Sequence, residues 1–207
     1  MESFRIDGNS VRDFSIRVDE VSDVTPELVQ ILLEIDLQTF AESTYSTYTA
    51  AAFFRMGRVF LLRADEVVIG TCVCFRSWDR PNEAMLLSMG IRPGWRGRGL
   101  GQRFVTGVLD RLRSRGLRSV SLLVGKENRR ALKVYGDVGF HVVDERLVDP
   151  DIAPFVPGAK GEALVLMRTY LQTQDHAPPT TTGESNLISL PPTPMPAPLR
   201  EDDDDEG

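Results

Sequence analysis

Scarcity sets the first limits on this chain of 207 residues. It has two histidines and two cysteines, Cys72 and Cys74. The cysteines stand two apart in a run that reads as a strand, which sends both to one face. A disulfide between such neighbours is geometrically poor, and C-x-C with so little histidine is a weak zinc pattern. The expectation is two free thiols in a reduced compartment, with no bound metal. No apolar run is long enough to span a bilayer. The start, Met1 to Asn9, is charged and lacks the apolar core of a signal peptide. A cytoplasmic protein that stays off membranes is the default. What is present, 42% hydrophobic and 26% charged residues, is a globular composition of a size for one ordinary domain.

Charge is unevenly placed. Thr173 to Gly207 carries eight acids and one base, a net of −7 against −6 for the whole chain. Arg92 to Lys133 carries twelve bases against Asp110 and Glu127, a net of +10. A basic block beside an acidic remainder suggests an anion held in one place, although Arg111, Arg113 and Arg115 suit a solvated helix face equally well. The prolines from Pro178 to Pro198 and the acids Asp202 to Glu206 give the last 35 residues the composition of a disordered tail. Domain boundaries of 1–172 and 173–207 follow.

Within the first segment, Phe14–Val21 reads as a strand. Thr25-Pro26 opens a helix with Leu28, Ile31, Leu32 and Ile35 on one face, and Tyr48–Phe54 is a second helical stretch. Val59–Arg63 and Val67–Phe75 flank Asp65-Glu66 as a hairpin, and Ala84–Ile91 is a further strand. Leu100, Phe104, Val108, Leu109 and Leu112 make an amphipathic helix closed by Gly116. Val120–Val124 is a strand, and Asn128 caps a short helix carrying Ala131, Leu132 and Tyr135. Phe140–Val143 and Ala163–Met167 complete a mixed α/β domain whose helices cover a sheet.

The most informative stretch runs from Met89 through Gly90, Ile91, Arg96, Gly97, Arg98, Gly99, Leu100 and Gly101 to Gln102. A strand ends, a glycine-rich turn follows and a helix starts. Glycines let backbone N–H groups approach an anion, the helix N-terminus adds partial positive charge, and the arginines add formal charge. A nucleotide-hydrolysing loop needs Gly-Lys-Ser/Thr where this chain has Leu100-Gly101-Gln102-Arg103. A dinucleotide fold needs a different glycine spacing. Both are excluded, leaving a pyrophosphate cradle.

Arg96-x-x-Gly99-x-Gly101 resembles the acetyl-CoA signature of the GNAT superfamily of N-acetyltransferases. Ser121–Val124, Asn128, Ala131, Tyr135 and Gly139-Phe140 resemble its second motif, and the strand Leu86–Ile91 feeds the loop as the family's fourth strand does. The likeness is specific over Glu83 to Phe140 and extends in element order from Phe14 to Met167. It implies a GNAT fold: a mixed, mostly antiparallel sheet of about seven strands flanked by about four helices. It implies an enzyme that moves an acetyl group from acetyl-CoA to a primary amine by direct attack in a ternary complex.

By that resemblance the amides of Arg96 to Gln102 would hold the pyrophosphate. Met89, Gly90 and Ile91 would pair with the pantetheine arm, and the oxyanion would meet the backbone at a bulge near Met89. Asn128 matches a position that bonds the arm, a role compatible with its capping one. Tyr135 matches the general acid that protonates the departing thiolate; its other reading is a core residue beside Leu132. Glu83 matches a general base only approximately, and Glu42 or water are alternatives. The acceptor, a protein N-terminus, a lysine or a small amine, would be chosen by Asp36–Tyr48 and Val148–Gly161. Leu122–Phe140 also resembles the subgroup that acetylates ribosomal-protein N-termini. A monomer or homodimer that binds no nucleic acid is the expected form. Two other classes stay open: a non-catalytic acyl-CoA-binding regulatory module, and a nucleic-acid binder using the basic block, which has few aromatics interleaved.

Overall fold

A computed structural model describes residues 2–6, 10–40, 45–144 and 164–171. The 173–207 tail lies outside the described residues. The elements run β1 (Glu2–Ile6), β2 (Ser10–Phe14), β3 (Ile16–Glu20), α1 (Pro26–Phe40), α2 (Thr47–Met56), β4 (Arg58–Ala64), β5 (Val67–Arg76), β6 (Glu83–Ile91), α3 (Leu100–Ser114), β7 (Ser119–Gly125), α4 (Arg129–Asp137), β8 (His141–Asp144) and β9 (Leu164–Tyr170). The first two strands form a separate antiparallel hairpin, pairing Glu2 with Phe14 and Ile6 with Ser10. Sequence pattern gave no sign of this hairpin. The single strand expected over Phe14–Val21 is instead the end of β2 plus β3.

The main sheet has seven strands in the order β3-β4-β5-β6-β7-β9-β8. Only β6 and β7 are parallel; every other neighbouring pair is antiparallel. The mixed, mostly antiparallel sheet with four helices matches the expected architecture. The last of the described strands, β9, inserts between β7 and β8.

Both faces of the sheet are covered, so its strands alternate between two cores. On β4, Val59 and Leu61 join a cluster with Val29, Leu32, Ile35 and Phe53 of α1 and α2. Phe60, Leu62 and Ala64 face the other way, into a larger cluster with Phe104, Val108 and Leu112 of α3 and Tyr135 of α4. The helix starts follow capping chemistry. The Thr25 hydroxyl accepts from the amide of Leu28 at 3.3 Å ahead of Pro26. Ser46 accepts from the amide of Thr49 at 3.1 Å, and Asn128 from that of Ala131 at 3.1 Å. Cys72 and Cys74 are buried, free and on one face, their sulfurs 3.8 Å apart. No helix among the described residues is long and apolar enough to cross a membrane.

Candidate active site

The parallel ladder between β6 and β7 is short. It pairs Glu83 with Ser119 through Leu86 with Leu122, and stops. Beyond that point, among the described residues, β6 continues to Ile91 bonded to β5 alone, and β7 continues to Gly125 bonded to β9 alone. Leu87–Ile91 and Leu123–Gly125 therefore form the two prongs of a fork with unpaired backbone edges between them. At the apex the β5–β6 register shifts. Val73 pairs with Ser88 and Cys74 with Leu86, which leaves Leu87 as a bulge. A bulge re-aims backbone groups beside it; it lies two residues before Met89, where the sequence placed it.

The prong β6 runs directly into the glycine loop. Pro93–Trp95 makes one 3-10 turn, and Gly97 and Gly99 follow with φ of +79° and +74°. Such left-handed backbone is accessible to glycine at little cost. It turns a run of amides to one side. Those of Gly97, Gly99, Leu100, Gly101 and Gln102 donate to no acceptor among the described residues, and the first bond of α3 runs from Arg103 N to Gly99 O at 3.3 Å. Unsatisfied amides converging at the N-terminus of a fifteen-residue helix form an anion cradle.

The two loop arginines have different fates. The Arg96 guanidinium turns inward. It donates to the carbonyls of Ile91 at 2.7 Å and Gln38 at 3.0 Å and reaches Thr39 Oγ1 at 3.4 Å, tying the C-terminus of α1 to the end of β6. Its pKa is lowered, first by burial and then by the positive charge of Arg130. Arg98 lies over the Trp95 ring at 5.7 Å, and Trp95 packs edge-on to Phe14. Arg130 was missed by the sequence reading. Its guanidinium lies 4.0 Å from where a Cβ on Gly97 would sit. It belongs to the basic block, but spacing alone gives no reason to aim it from α4 at a loop some thirty residues earlier.

Asn128 caps α4 through its side-chain oxygen, and its NH2 has no partner among the described residues. Tyr135, 8% exposed, packs with Phe140 and beside Cys72 and Cys74. Cys72 pairs across β5–β6 with Met89 and Cys74 with Leu86, so the phenol lies over the fork's apex. Its hydroxyl has no hydrogen-bond partner among the described residues. Burial, and then the neighbouring thiols, push the Tyr135 pKa well above the ordinary phenol value. Burial, then Cys74, likewise raises Cys72 well above the usual thiol value. Tyr135 and Cys72 therefore stay protonated at neutral pH.

Glu83 stands at the far end of β6 from the loop, about 26 Å along an eight-residue rise. Its carboxylate accepts from Ser121 Oγ at 2.7 Å and pairs with Arg168 at 3.1 Å and Arg80 at 3.5 Å, bridging β6, β7 and β9. Burial pushes its pKa up, but the Ser121 bond and the arginines outweigh it and leave it below the usual carboxylate value. The geometry is that of a strut. Arg168→Met is expected to cost about 2 kcal/mol by stripping a mostly buried carboxylate of a charged partner, seen as a Tm lowered by roughly 4–8 °C. Because Glu83 is depressed, its contribution is full above about pH 4.3, the unfolded value, and is lost as pH falls through the lower folded value. The Tm gap between wild type and Glu83→Gln should therefore shrink on acidification; a gap constant from pH 6 to pH 3 would refute the strut.

Glu42, Asp149, Asp151 and Phe155 lie outside the described residues. Of the other acceptor-facing candidates, Asp36 is buried, Tyr45 packs edge-on to Phe53, and Tyr48 is 85% exposed. No group of three metal-ligating side chains occurs among the described residues.

A strand fork, a bulge at its apex and an amide cradle leading into α3 are one continuous arrangement, and a family model matches the residues that build it, 25–140. The chain belongs to the acetyltransferase (GNAT) family. An acyltransferase was the expectation, and GNAT membership bears it out. The [ribosomal protein bS18]-alanine N-acetyltransferase of Haemophilus ducreyi is 28% identical over 104 residues, covering 50% of this chain and 67% of that protein. Among solved structures, the ribosomal-protein-S18-alanine N-acetyltransferase of Escherichia coli superposes with a TM-score of 0.60 at 16% identity, over 79% of this chain and 99% of its own. An acetyltransferase of Bacillus subtilis in complex with CoA gives 0.57 at 15% identity, over 76% of this chain and 100% of its own. Those two likenesses establish the GNAT fold.

Proposed function

We propose that this chain transfers the acetyl group of acetyl-CoA to a primary amine by direct attack in a ternary complex. The observation that carries this is the unpartnered Tyr135 hydroxyl over the apex of a fork whose β6 prong leads into an unsatisfied amide cradle. Support for the donor comes from family membership and from a structural neighbour in complex with CoA.

The amides of Gly97 to Gln102 would hold the pyrophosphate, with Arg98 and Arg130 supplying charge at the mouth. Arg96 would act by fixing the loop, because its guanidinium is committed to α1 and β6. The open edges of Met89, Gly90 and Ile91, together with the free NH2 of Asn128, would pair with the pantetheine arm. Acetyl-CoA supplies a thioester, whose carbonyl carbon the neutral amine attacks. An amide at the Leu87 bulge would face the developing oxyanion. As the carbon–sulfur bond breaks, Tyr135 gives its proton to the sulfur; its raised pKa keeps that proton in place beforehand. The amine's surplus proton leaves through water, since the Glu83 carboxylate is committed to Ser121, Arg168 and Arg80, about 13 Å along β6 from the Leu87 bulge. Among acceptors, a protein N-terminus is the first to test, because the Haemophilus ducreyi relative acts on an alanine of a ribosomal protein.

Acetyl-CoA at 100 times its Kd is expected to stabilise the fold by about 2.7 kcal/mol, read as a Tm raised by roughly 5–11 °C. Free thiol should then be released with a peptide N-terminus, a lysine or a small amine. Absence of any thermal shift with acetyl-CoA and CoA sinks the proposal. A shift without thiol release from any amine points to a non-catalytic acyl-CoA binder.

A further inference from the structure

A cavity of about 340 Å³ opens at the opposite end of the sheet, between the last turn of α2, the start of β4, the end of β5 and the end of α3. Its floor is apolar, with Cys74, Leu112 and Leu117 buried. Four arginines line it, each of them exposed: Arg55, Arg58, Arg76 and Arg115. Their paired acid is Glu20, which Arg58 meets at 3.2 Å and Arg115 meets through two bonds of 2.9 and 2.7 Å. Arg76 donates Nε to the Pro81 carbonyl and has no ion pair among the described residues. Arg55 has no partner among the described residues. The cavity therefore gathers four cations around one carboxylate.

Holding like charges close together costs free energy. A guanidinium fork matches a carboxylate or phosphate in two-point geometry. A concave apolar floor with a few convergent polar groups is the form of a small-ligand site. The cavity is also distinct from the loop: Ala84, on its wall, lies about 23 Å along β6 from Ile91.

We propose that this cavity is a second ligand site, taking a small organic dianion with a flat apolar body. The body lies on Leu112 and Leu117, and its acidic groups meet Arg55 and Arg76, whose donors are the least committed. This inference stands independently of the acetyl-CoA reading.

Titration calorimetry with isophthalate, and with its neutral isostere isophthalamide, tests it on three forms of the full chain. These are the wild type, Arg55→Gln/Arg76→Gln, and Arg98→Gln/Arg130→Gln at the loop. Isophthalate should bind the wild type saturably, and at least about ten-fold more weakly to the cavity variant, a loss of roughly 1.4 kcal/mol. The loop variant should match the wild type, and isophthalamide should give no saturable heat. Equal binding by wild type and cavity variant overturns the proposal. So do loss of binding in the loop variant alone, and absence of saturable heat with the wild type. If the cavity double variant is unstable, Arg55→Gln, which breaks no contact, takes its place and should still weaken isophthalate measurably; unchanged binding there overturns the proposal equally.

Discussion

Replacing Tyr135 with phenylalanine is expected to lower kcat about 100-fold or more, with KM for acetyl-CoA within about two-fold of wild type. Tm should be unchanged or slightly raised. The reasons lie in the same few contacts. The ring is buried against Phe140 and the two thiols, and phenylalanine preserves that packing. The hydroxyl bonds to nothing among the described residues, so its removal deletes a polar group from a mostly buried place without breaking a contact. Burying an unpartnered hydroxyl costs free energy, which is why stability should not fall. Only the proton is lost. Because the pKa is raised, the kcat–pH profile of wild type should show no decline from phenol ionisation below about pH 10. If Tyr135→Phe retains kcat within about three-fold of wild type, the residue is core and another group supplies the proton.

What could be read from residue order and what could not divide along physical lines. The loop was legible because its chemistry is local: glycines, a strand end and a helix start stand next to each other in the chain. Asn128 was legible as a helix cap for the same reason, while Tyr135 and Gly139-Phe140 stood out only through their resemblance to the family's second motif. The apolar Val59–Arg63 run reads as a strand, and the structure shows its two faces serving two cores. Long-range choices left no local trace. Arg96 reads as a phosphate ligand from its neighbours, yet two of its three partners, Gln38 and Thr39, are 58 and 57 residues away. Arg130 faces Gly97 only because α4 packs beside the start of α3, where Gln102 Nε2 meets Asp137 Oδ2 at 2.6 Å. Glu83 reads as a base only through resemblance to a glutamate on the family's fourth strand, and its trio of partners comes from three other segments. The β9 insertion between β7 and β8 is a choice of topology that a short apolar run cannot announce.

Gly90→Val should be the most damaging single change for stability, costing about 3 kcal/mol and lowering Tm by roughly 6–12 °C. Gly90 has no left-handed backbone requirement; its constraint is space. A Cβ there would fall on Thr39 Oγ1, 3.0 Å from Ile35 Cγ2 and 3.3 Å from Thr39 Cβ. Those atoms belong to the buried side of α1, which rests directly on β6. Thr39 Oγ1 already donates to the Ile35 carbonyl at 2.6 Å and faces the Arg96 guanidinium. Forcing α1 outward would pull Gln38 and Thr39 from Arg96, and Arg96 is what anchors the loop behind Gly97 and Gly99. The same substitution should therefore raise KM for acetyl-CoA, linking a packing defect to the cradle. A double variant separates the two causes. Thr39→Ala removes the nearest clashing atom, so Gly90→Ala combined with Thr39→Ala should be more stable than the sum of the single losses predicts. Strict additivity of the two, measured by denaturant unfolding, would show that the strain at Gly90 lies elsewhere than against Thr39.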